Sequence, residues 1–354
     1  MYPDNTNTLP VRDMLEPLKE QLDARDEAVL LAPPGAGKTT LVPLALKDQS
    51  WLRGQKILLL EPRRLAARAA AHRMSHLLGE VVGQTVGYRI RMDSCIGDDT
   101  VIEVITEGIL TNRLQRDPGL EGVGLVIFDE FHERNLDSDL CMALCLQGRN
   151  QFREGPPLKL LAMSATLDGA AVSGLLDDAP VLESSGSQFP VDTVYGDPRP
   201  LRGSIVQPAV ETVMRALRQR TGGILVFLPG KREIMAVARS LATELGELGE
   251  QQVQICPLYG GLSLERQQEA VLPTPAGQRK IVLATNVAET SLTIEGVAAV
   301  VDSGLVREPV FDPRTGKVRL PTRPVSRASA EQRKGRAGRQ APGHCYRMWS
   351  EEQQ

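Results

Sequence analysis

The sequence predicts an α/β fold built from two tandem domains with parallel sheets, and three observations support this prediction. Short apolar segments alternate with helical stretches, a pattern typical of β-α units whose strands lie parallel in one sheet. A stretch rich in Ser, Gly, Asp and Pro interrupts the pattern at 183–202. The chain has 354 residues, about twice the ~100–200 of an ordinary domain. We therefore expect a first domain over 1–185, a linker over 186–202 and a second domain over 203–354.

Each predicted strand is an apolar segment that leads into a loop or the start of a helix. In the first half these segments are Ala28–Ala32, Ile57–Glu61, Val101–Thr106, Leu125–Asp129 and Leu158–Met163. In the second half they are Ile224–Leu228, Gln252–Pro257, Lys280–Thr285 and Ala298–Asp302. Between Asp302 and Pro321, apolar and polar residues alternate on both sides of the turn DPRTGK. This arrangement predicts an inserted β-hairpin.

Composition restricts the partners and the compartment. The 41 Lys and Arg nearly balance the 44 Asp and Glu, so a surface for nucleic acid has to be local. The five cysteines are odd in number and lack zinc-ligand spacing, so we expect reduced, mostly buried thiols. No apolar run approaches the ~18 residues of a membrane span, and Met1–Gln21 has neither a basic start nor the apolar core of a signal sequence. A soluble cytoplasmic protein without a membrane partner is expected.

The first predicted strand leads into the segment APPGAGKTT, which has the spacing of a P-loop with alanine at the first glycine position. Gly35 and Gly37 let backbone N–H groups surround phosphate oxygens at a helix N-terminus. Lys38 can reach the β- and γ-phosphates of ATP, and the Thr39 hydroxyl can bind Mg²⁺. An ordinary Gly-rich turn is the alternative, but the strand before the loop and the helix after it favour a P-loop. The expected nucleotide-binding residues here are Pro34, Gly35, Ala36, Gly37, Lys38, Thr39 and Thr40.

An acidic pair follows another apolar strand in the segment GLVIFDEFHER. Asp129 is expected to hold Mg²⁺, and Glu130 to orient and deprotonate the attacking water, with its carboxylate also near the metal. An exposed turn or a helix cap would explain an isolated acidic pair. With a P-loop upstream, the pair instead predicts hydrolysis of a nucleoside triphosphate.

Eight segments occur in the order that characterises one helicase family. They are APPGAGKTT (motif I), EPRRLAA (Ia), TEGIL (Ib), DEFH (II), SAT (III), ILVFLPG (IV), ATNVAETSLTIEGV (V) and QRKGRAGR (VI). Over nearly its whole length the chain resembles the DEAH/DExH-box helicases of superfamily 2. The resemblance implies two RecA-like P-loop domains with ATP and nucleic acid bound across their cleft, and an ATP-driven translocase that moves 3′ to 5′ on RNA or DNA.

The resemblance also implies roles for single residues. His132 would contact the nucleotide, Arg73 the adenine and Glu295 the ribose, while Ser164 and Thr166 would couple hydrolysis to nucleic-acid binding. Relatives often carry aspartate where Glu295 lies, and where they place an adenine-stacking aromatic this chain has Val271, so we expect loose base selectivity. The expected nucleic-acid contacts are Arg63, Arg64, Arg89, Arg91, Thr106, Glu107, Gly108, Thr285 and Asn286. Contacts of this kind to phosphate and sugar carry little sequence preference.

Motif VI predicts the charge clamp of the reaction. Arg336 and Arg339 are three residues apart, so a helix would point both guanidinium groups at one place and neutralise γ-phosphate charge. Gln332 resembles the family's glutamine that contacts the γ-phosphate and the water. If Arg89 and Arg91 lie in an extended segment, they share one face and resemble the family's hook-turn.

Three classes of function remain open at this point. The favoured one is an ATP-dependent RNA or DNA helicase core. A nucleic-acid-stimulated NTPase that remodels its partner without unwinding, or another P-loop NTPase, is the second. A catalytically silent RNA-binding scaffold is the third, although it would be expected to lose Lys38, Glu130 or Arg339. The chain ends shortly after motif VI, where the family continues into further domains, so we expect a helicase core or a fragment. A monomer is also expected.

Overall fold

The computed structural model describes residues 9–133, 135–165, 169–184, 189–198, 203–248, 252–272, 274–275, 277–289, 294–339 and 341–353. The chain divides into two compact units, Met1–Ser187 and Gln188–Gln354. Each unit has its own sheet and its own hydrophobic core, and each is described by itself.

The first unit contains an eight-stranded sheet in the order β4-β3-β5-β2-β6-β7-β1-β8. Its strands are β1 (Glu27–Leu31), β2 (Lys56–Glu61), β3 (Val86–Ile90), β4 (Asp93–Cys95), β5 (Ile102–Thr106), β6 (Val123–Phe128), β7 (Lys159–Ser164) and β8 (Val181–Glu183). Only β4 pairs antiparallel among these described strands. Its helices are α1 (Leu15–Ala24), α2 (Lys38–Leu46), α3 (Arg64–Leu78), α4 (Glu107–Arg116), α5 (Leu136–Gln151) and α6 (Gly169–Leu175).

Alternate residues of the central strands supply both faces of this sheet. In β2, Ile57 and Leu59 pack into one apolar cluster, while Leu58 and Leu60 pack into the other. Helices cover both faces, which explains why the strands are continuous apolar runs. Because parallel strands end at one edge, the loops after β1, β2, β5, β6 and β7 all open at the same edge of the sheet.

The second unit contains a six-stranded, fully parallel sheet in the order β11-β12-β10-β13-β18-β9. These strands are β9 (Val191–Tyr195), β10 (Gly223–Phe227), β11 (Val253–Leu258), β12 (Arg279–Ala284), β13 (Val297–Asp302) and β18 (Gly343–Arg347). Two antiparallel pairs join β14 (Leu305–Arg307) to β17 (Thr322–Pro324) and β15 (Val310–Asp312) to β16 (Lys317–Arg319). The helices are α7 (Val206–Gln219), α8 (Lys231–Glu247), α9 (Leu264–Val271) and α10 (Arg327–Lys334).

The predicted fold class and the predicted strands are confirmed. The α/β class, the nine predicted strands to within two residues and the hairpin around DPRTGK are all present. All five cysteines are free thiols, and four of them are buried. Among the described residues, no helix has the length and apolar character needed to cross a bilayer.

The structure differs from the expected linker at 186–202. Strand β9 lies inside that range and pairs with β18 at the edge of the second sheet, with Val194 packed against the core of that unit. Flanking Pro and Gly obscured this strand in the sequence, since both residues are tolerated beside an edge strand. Part of the expected linker, including Arg202, lies outside the described residues.

Candidate functional site

The P-loop follows β1 and turns through two glycines into α2. Gly35 and Gly37 have φ angles of 82° and 92°, a left-handed conformation that residues with a side chain rarely adopt. A Cβ atom on Gly37 would also lie 2.9 Å from Leu9 Cδ1. The glycine spacing in the sequence therefore reflects both backbone conformation and close packing. Thr40 follows within the first turn of α2, where its hydroxyl lies 3.4 Å from the Gly37 carbonyl oxygen.

Two P-loop side chains, those of Lys38 and Thr39, point into the site. Lys38 is buried, and its ammonium donates to the carbonyl oxygens of Ala32 and Pro33. The Thr39 hydroxyl donates to Asp129 Oδ2 of motif II. Motifs I and II, ninety residues apart in sequence, thus meet at the carboxyl edge of the sheet.

Asp129 and Glu61 form a buried acidic pair beneath the P-loop. Burial, reinforced by the Glu130 carboxylate, raises the pKa of Asp129 to about 6, although Lys38 and Thr39 oppose the shift. Glu61 ends β2 with no exposed surface, and burial together with Asp129 and Glu130 raises its pKa well above the usual value. Glu61 was not among the residues expected at this site. Its place directly after the apolar run Ile57–Leu60 was the available signal.

Glu130 has φ 50°, an unusual conformation for a residue with a side chain. Its N–H donates to Asp129 Oδ1 at 2.8 Å, and its Oε2 lies 3.5 Å from His132 Nδ1. The same Nδ1 accepts from the Ala165 N–H at 3.3 Å, next to Ser164 of motif III. Burial lowers the pKa of His132, consistent with a neutral ring whose Nδ1 is the acceptor. Motifs II and III are therefore in direct contact. Thr166, the other coupling candidate, lies outside the described residues.

The donor set suits Mg²⁺ better than a transition metal. Thr39 and Asp129 bring a hydroxyl and a carboxylate oxygen to one point, and magnesium is typically held by one or two such groups together with phosphates. Across the described part of the chain, no cluster of three or more His, Cys, Asp or Glu side chains could hold a metal ion. The chemistry of these residues fits a metal that arrives with its nucleotide.

The expected nucleic-acid residues of the first unit divide into two groups. Arg64, Arg89, Arg91 and Gly108 are exposed. The side chains of the second group face protein: Arg63 pairs with Glu133, while Thr106 and Glu107 are buried.

The segment that carries Arg89 and Arg91 is extended only as far as Ile90 and then turns. Arg89 lies in β3, but the chain turns at Arg91 and Met92 and returns as the antiparallel strand β4. Met92 has φ 66° and is 95% exposed. The two arginines therefore lie in a strand and at a hairpin tip.

In the second unit, Arg336 and Arg339 lie in and just after the 3₁₀ helix Gly335–Gly338 rather than in one α-helix. Arg336 is buried and donates from Nε to the Glu289 carbonyl oxygen at 2.9 Å. Gln332 lies in α10, one turn earlier. The guanidinium of Arg336 therefore contacts the backbone of motif V.

The remaining expected residues are spread over both units. Thr285 caps the 3₁₀ helix Asn286–Ala288 after β12, and its hydroxyl accepts from the Val287 N–H. Arg73 and Glu295 are exposed, on α3 and before β13.

Comparisons with known proteins agree with this geometry. The model of DEAD/DEAH box helicases matches residues 14–173, and that of the helicase conserved C-terminal domain matches 208–341. The chain is 50% identical over 347 residues to the ATP-dependent RNA helicase HrpB of Escherichia coli (strain K12), covering 98% of this chain and 42% of that protein. It thus spans less than half the length of that relative.

Two solved structures are similar as well. The crystal structure of the Escherichia coli DEAH/RHA helicase HrpB superposes with a TM-score of 0.89, and that of the E. coli DExH-box NTPase HrpB with 0.80. Both share 50% identity with this chain and cover 98% of it, while 43% and 42% of those chains are matched. With its ordered motifs and its two α/β units, the chain belongs to the DEAD/DEAH box helicases.

Proposed function

We propose that the chain is the ATP-hydrolysing core of an RNA helicase, with Mg²⁺ bound beside the nucleotide. One observation carries the proposal: Thr39 of the P-loop donates to Asp129 of motif II, with Lys38 and Glu130 next to these two residues in sequence. Phosphoryl transfer to water requires phosphate-binding groups, a metal ligand and a base.

Each residue has a defined task in this proposal. Backbone N–H groups around Gly35 and Gly37 bind phosphate oxygens, and Lys38 turns from the loop carbonyls to the β- and γ-phosphates. Thr39 and Asp129 would hold Mg²⁺, which would supply positive charge beside the phosphates. Glu130 orients and deprotonates the attacking water.

Two arginines of the second unit are the proposed source of positive charge in the transition state. Arg336 and Arg339 would neutralise the γ-phosphate in the transition state, and Gln332 would hold the attacking water. For Arg336 this requires leaving the Glu289 carbonyl oxygen that it contacts here.

Single-stranded RNA is the proposed partner, because the relative described above is named as an RNA helicase. Exposed arginines on the first unit, including Arg64, Arg89 and Arg91, would bind its phosphates with little sequence preference. A switch that hydrolyses ATP without unwinding is the less favoured alternative. We also propose a cytoplasmic location, which the five free thiols support.

Steady-state ATPase activity with and without single-stranded RNA and DNA tests the proposal. Glu130→Gln should bind ATP yet lose most turnover, and Arg339→Ala should lose about 10³-fold in rate. Glu154→Gln is the matched control, because this exposed carboxylate lies between α5 and β7, at the amino ends of the strands. Absence of ATPase activity in the unmodified chain, or wild-type turnover in Glu130→Gln, would refute the proposed function.

A further inference from the structure

Two residues expected to grip nucleic acid instead contact the segment that follows motif II. Arg63 Nη2, after β2, lies 3.3 Å from Glu133 Oε2. Asn135 Nδ2 lies 3.1 Å from each carboxylate oxygen of Glu107, which opens α4 after β5 and is 7% exposed. The loops of motifs Ia and Ib are thus each joined by a side chain to the same short segment.

That segment is also the support of Glu130. Glu133 ends the 3₁₀ helix Phe131–Glu133, and its N–H donates to the Glu130 carbonyl oxygen at 2.9 Å. Asn135 caps α5, where its Oδ1 accepts from the Asp137 N–H at 3.1 Å. A left-handed glutamate persists only where its surroundings hold it, and these two contacts hold the chain directly after it.

We infer that Glu133 and Asn135 are positioning residues that tie the loop carrying Glu130 to the two nucleic-acid loops of motifs Ia and Ib. RNA bound at those loops would shift the Arg63–Glu133 and Glu107–Asn135 contacts and thereby set the orientation of Glu130. The inference rests on the proposed function and deepens it, because it names a route by which RNA stimulates hydrolysis.

The contact pattern favours positioning over a purely structural role. The Arg63–Glu133 pair joins two loops and keeps about a quarter and a fifth of its two side chains exposed, so a ligand at those loops can reach it. Asn135 uses its two side-chain ends for different purposes, the oxygen for the helix cap and the amide for Glu107. Capping alone would require only the oxygen.

Two variants separate these roles while keeping the fold. Glu133→Gln removes the charge of the pair, and Asn135→Ser keeps a capping oxygen but loses the amide donor. ATPase rates are measured without RNA and at saturating single-stranded oligo(U), and affinity for that RNA is measured by fluorescence anisotropy. Without RNA, turnover should stay within about twofold of wild type, whereas RNA-stimulated turnover should fall by about tenfold.

The matched control is Asp26→Asn. Asp26 pairs with Lys159 at 2.8 Å and is partly exposed like Glu133, but it lies just before β1, at the opposite edge of the sheet. Stimulation by RNA should survive this change. Thermal melting of all three variants checks that the fold is retained.

A charge swap shows whether Arg63 acts by pairing with Glu133 or by binding an RNA phosphate directly. If Arg63 acts by pairing with Glu133, the double variant Arg63→Glu with Glu133→Arg should recover most of the stimulation that Arg63→Glu loses. If Arg63 instead holds a phosphate, the swap should remain as defective as the single change, and the inference fails for this pair.

The outcomes also separate the inference from the proposed function. Wild-type stimulation in both Glu133→Gln and Asn135→Ser overturns the inference and leaves the proposed function intact. Equal losses in Asp26→Asn overturn it as well, because the effect would then be general. An unmodified chain that hydrolyses ATP with no response to RNA overturns both.

Discussion

Glu107 shows how one buried carboxyl makes stability depend on pH. Burial, reinforced by Asp137 and Glu133, raises its pKa to about 7, while Arg63 and Asn135 oppose the shift. A carboxyl whose pKa is higher in the folded protein favours the unfolded chain once it ionises. Its destabilising effect therefore grows as pH rises from about 4.5 to 7 and is constant above that range.

We predict that Glu107→Gln gains stability relative to wild type as pH rises. Glutamine keeps an oxygen for the Asn135 amide and carries no charge, so the difference should be small at pH 5 and roughly 1–3 kcal/mol at pH 8. Urea unfolding at the two pH values measures it, with the exposed Glu154→Gln as the control for loss of one charge. A difference that is the same at both pH values would contradict the assignment of this titration to Glu107.

Some residues of the site can be predicted from the sequence, whereas the contacts of others cannot. Motif spacing alone predicts the positions of the P-loop glycines, Lys38 and Thr39. Local backbone conformation and the start of α2 fix these residues. Motif spacing does not predict the contact partners of Arg63 and Arg336, since these partners lie 70 and 47 residues away in sequence. A basic residue in a family motif looks the same in sequence whether its guanidinium faces nucleic acid or a neighbouring loop.

At the scale of elements, α10 is anchored to the second sheet by a buried ion cluster. Arg333 is 1% exposed, and it binds Asp302 at 2.9 Å and Glu289 at 3.0 Å while lying over the Phe227 ring. Burial raises the pKa of Asp302 even though Arg333 opposes this. The cluster joins the end of β13, the segment after β12 and the helix of motif VI.

We predict that Arg333→Met lowers the free energy of unfolding by about 3–5 kcal/mol, because it leaves the Asp302 carboxylate buried without its cation. Combining it with Asp302→Asn should cost less than the sum of the two single changes. Calorimetry of the whole chain is the test, and only the transition of the second unit should move to lower temperature. Equal shifts of both units would show that they unfold together.

Some strands could be predicted from the sequence and others could not. Central strands such as β2 and β6 are buried on both faces, so their continuous apolar runs predict them to within two residues. Strands β3, β4 and β9 were missed, because they are short or partly exposed and carry few consecutive apolar residues. Strands β4 and β9 lie at sheet edges, where the periodic signal is weak, whereas β3 lies between β4 and β5 and its apolar run is interrupted by Gly87 and Arg89.

At the scale of the whole molecule, a nearly neutral chain is proposed to bind a polyanion. The net charge is −3, so attraction has to come from local groups such as Arg64 and Arg91, both exposed near the carboxyl edge of the first sheet. Affinity for single-stranded RNA should then fall steeply with salt and vary little between sequences of equal length.

We predict that reversing Arg64 and Arg91 to Glu weakens RNA binding and reduces the salt slope by about 1.4, since each lost phosphate contact removes about 0.7. Fluorescence anisotropy across a salt series measures both quantities. Reversal of Arg53 and Arg116 is the control, because these exposed arginines lie before β2 and at the end of α4, near the amino edge. Equal effects of the two pairs would point to general charge rather than to this surface.

Strand β9 has a practical consequence for anyone who wishes to produce the second unit alone. It lies at residues 191–195, before the region 208–341 that the helicase C-terminal family model recognises. A gene fragment that starts at residue 203 would leave β18 as an open edge, with its backbone N–H and C=O groups free to pair with other chains. Such a fragment is expected to aggregate, whereas one that begins before Phe189 keeps β18 paired with β9 and is the better starting point for expression and crystallisation.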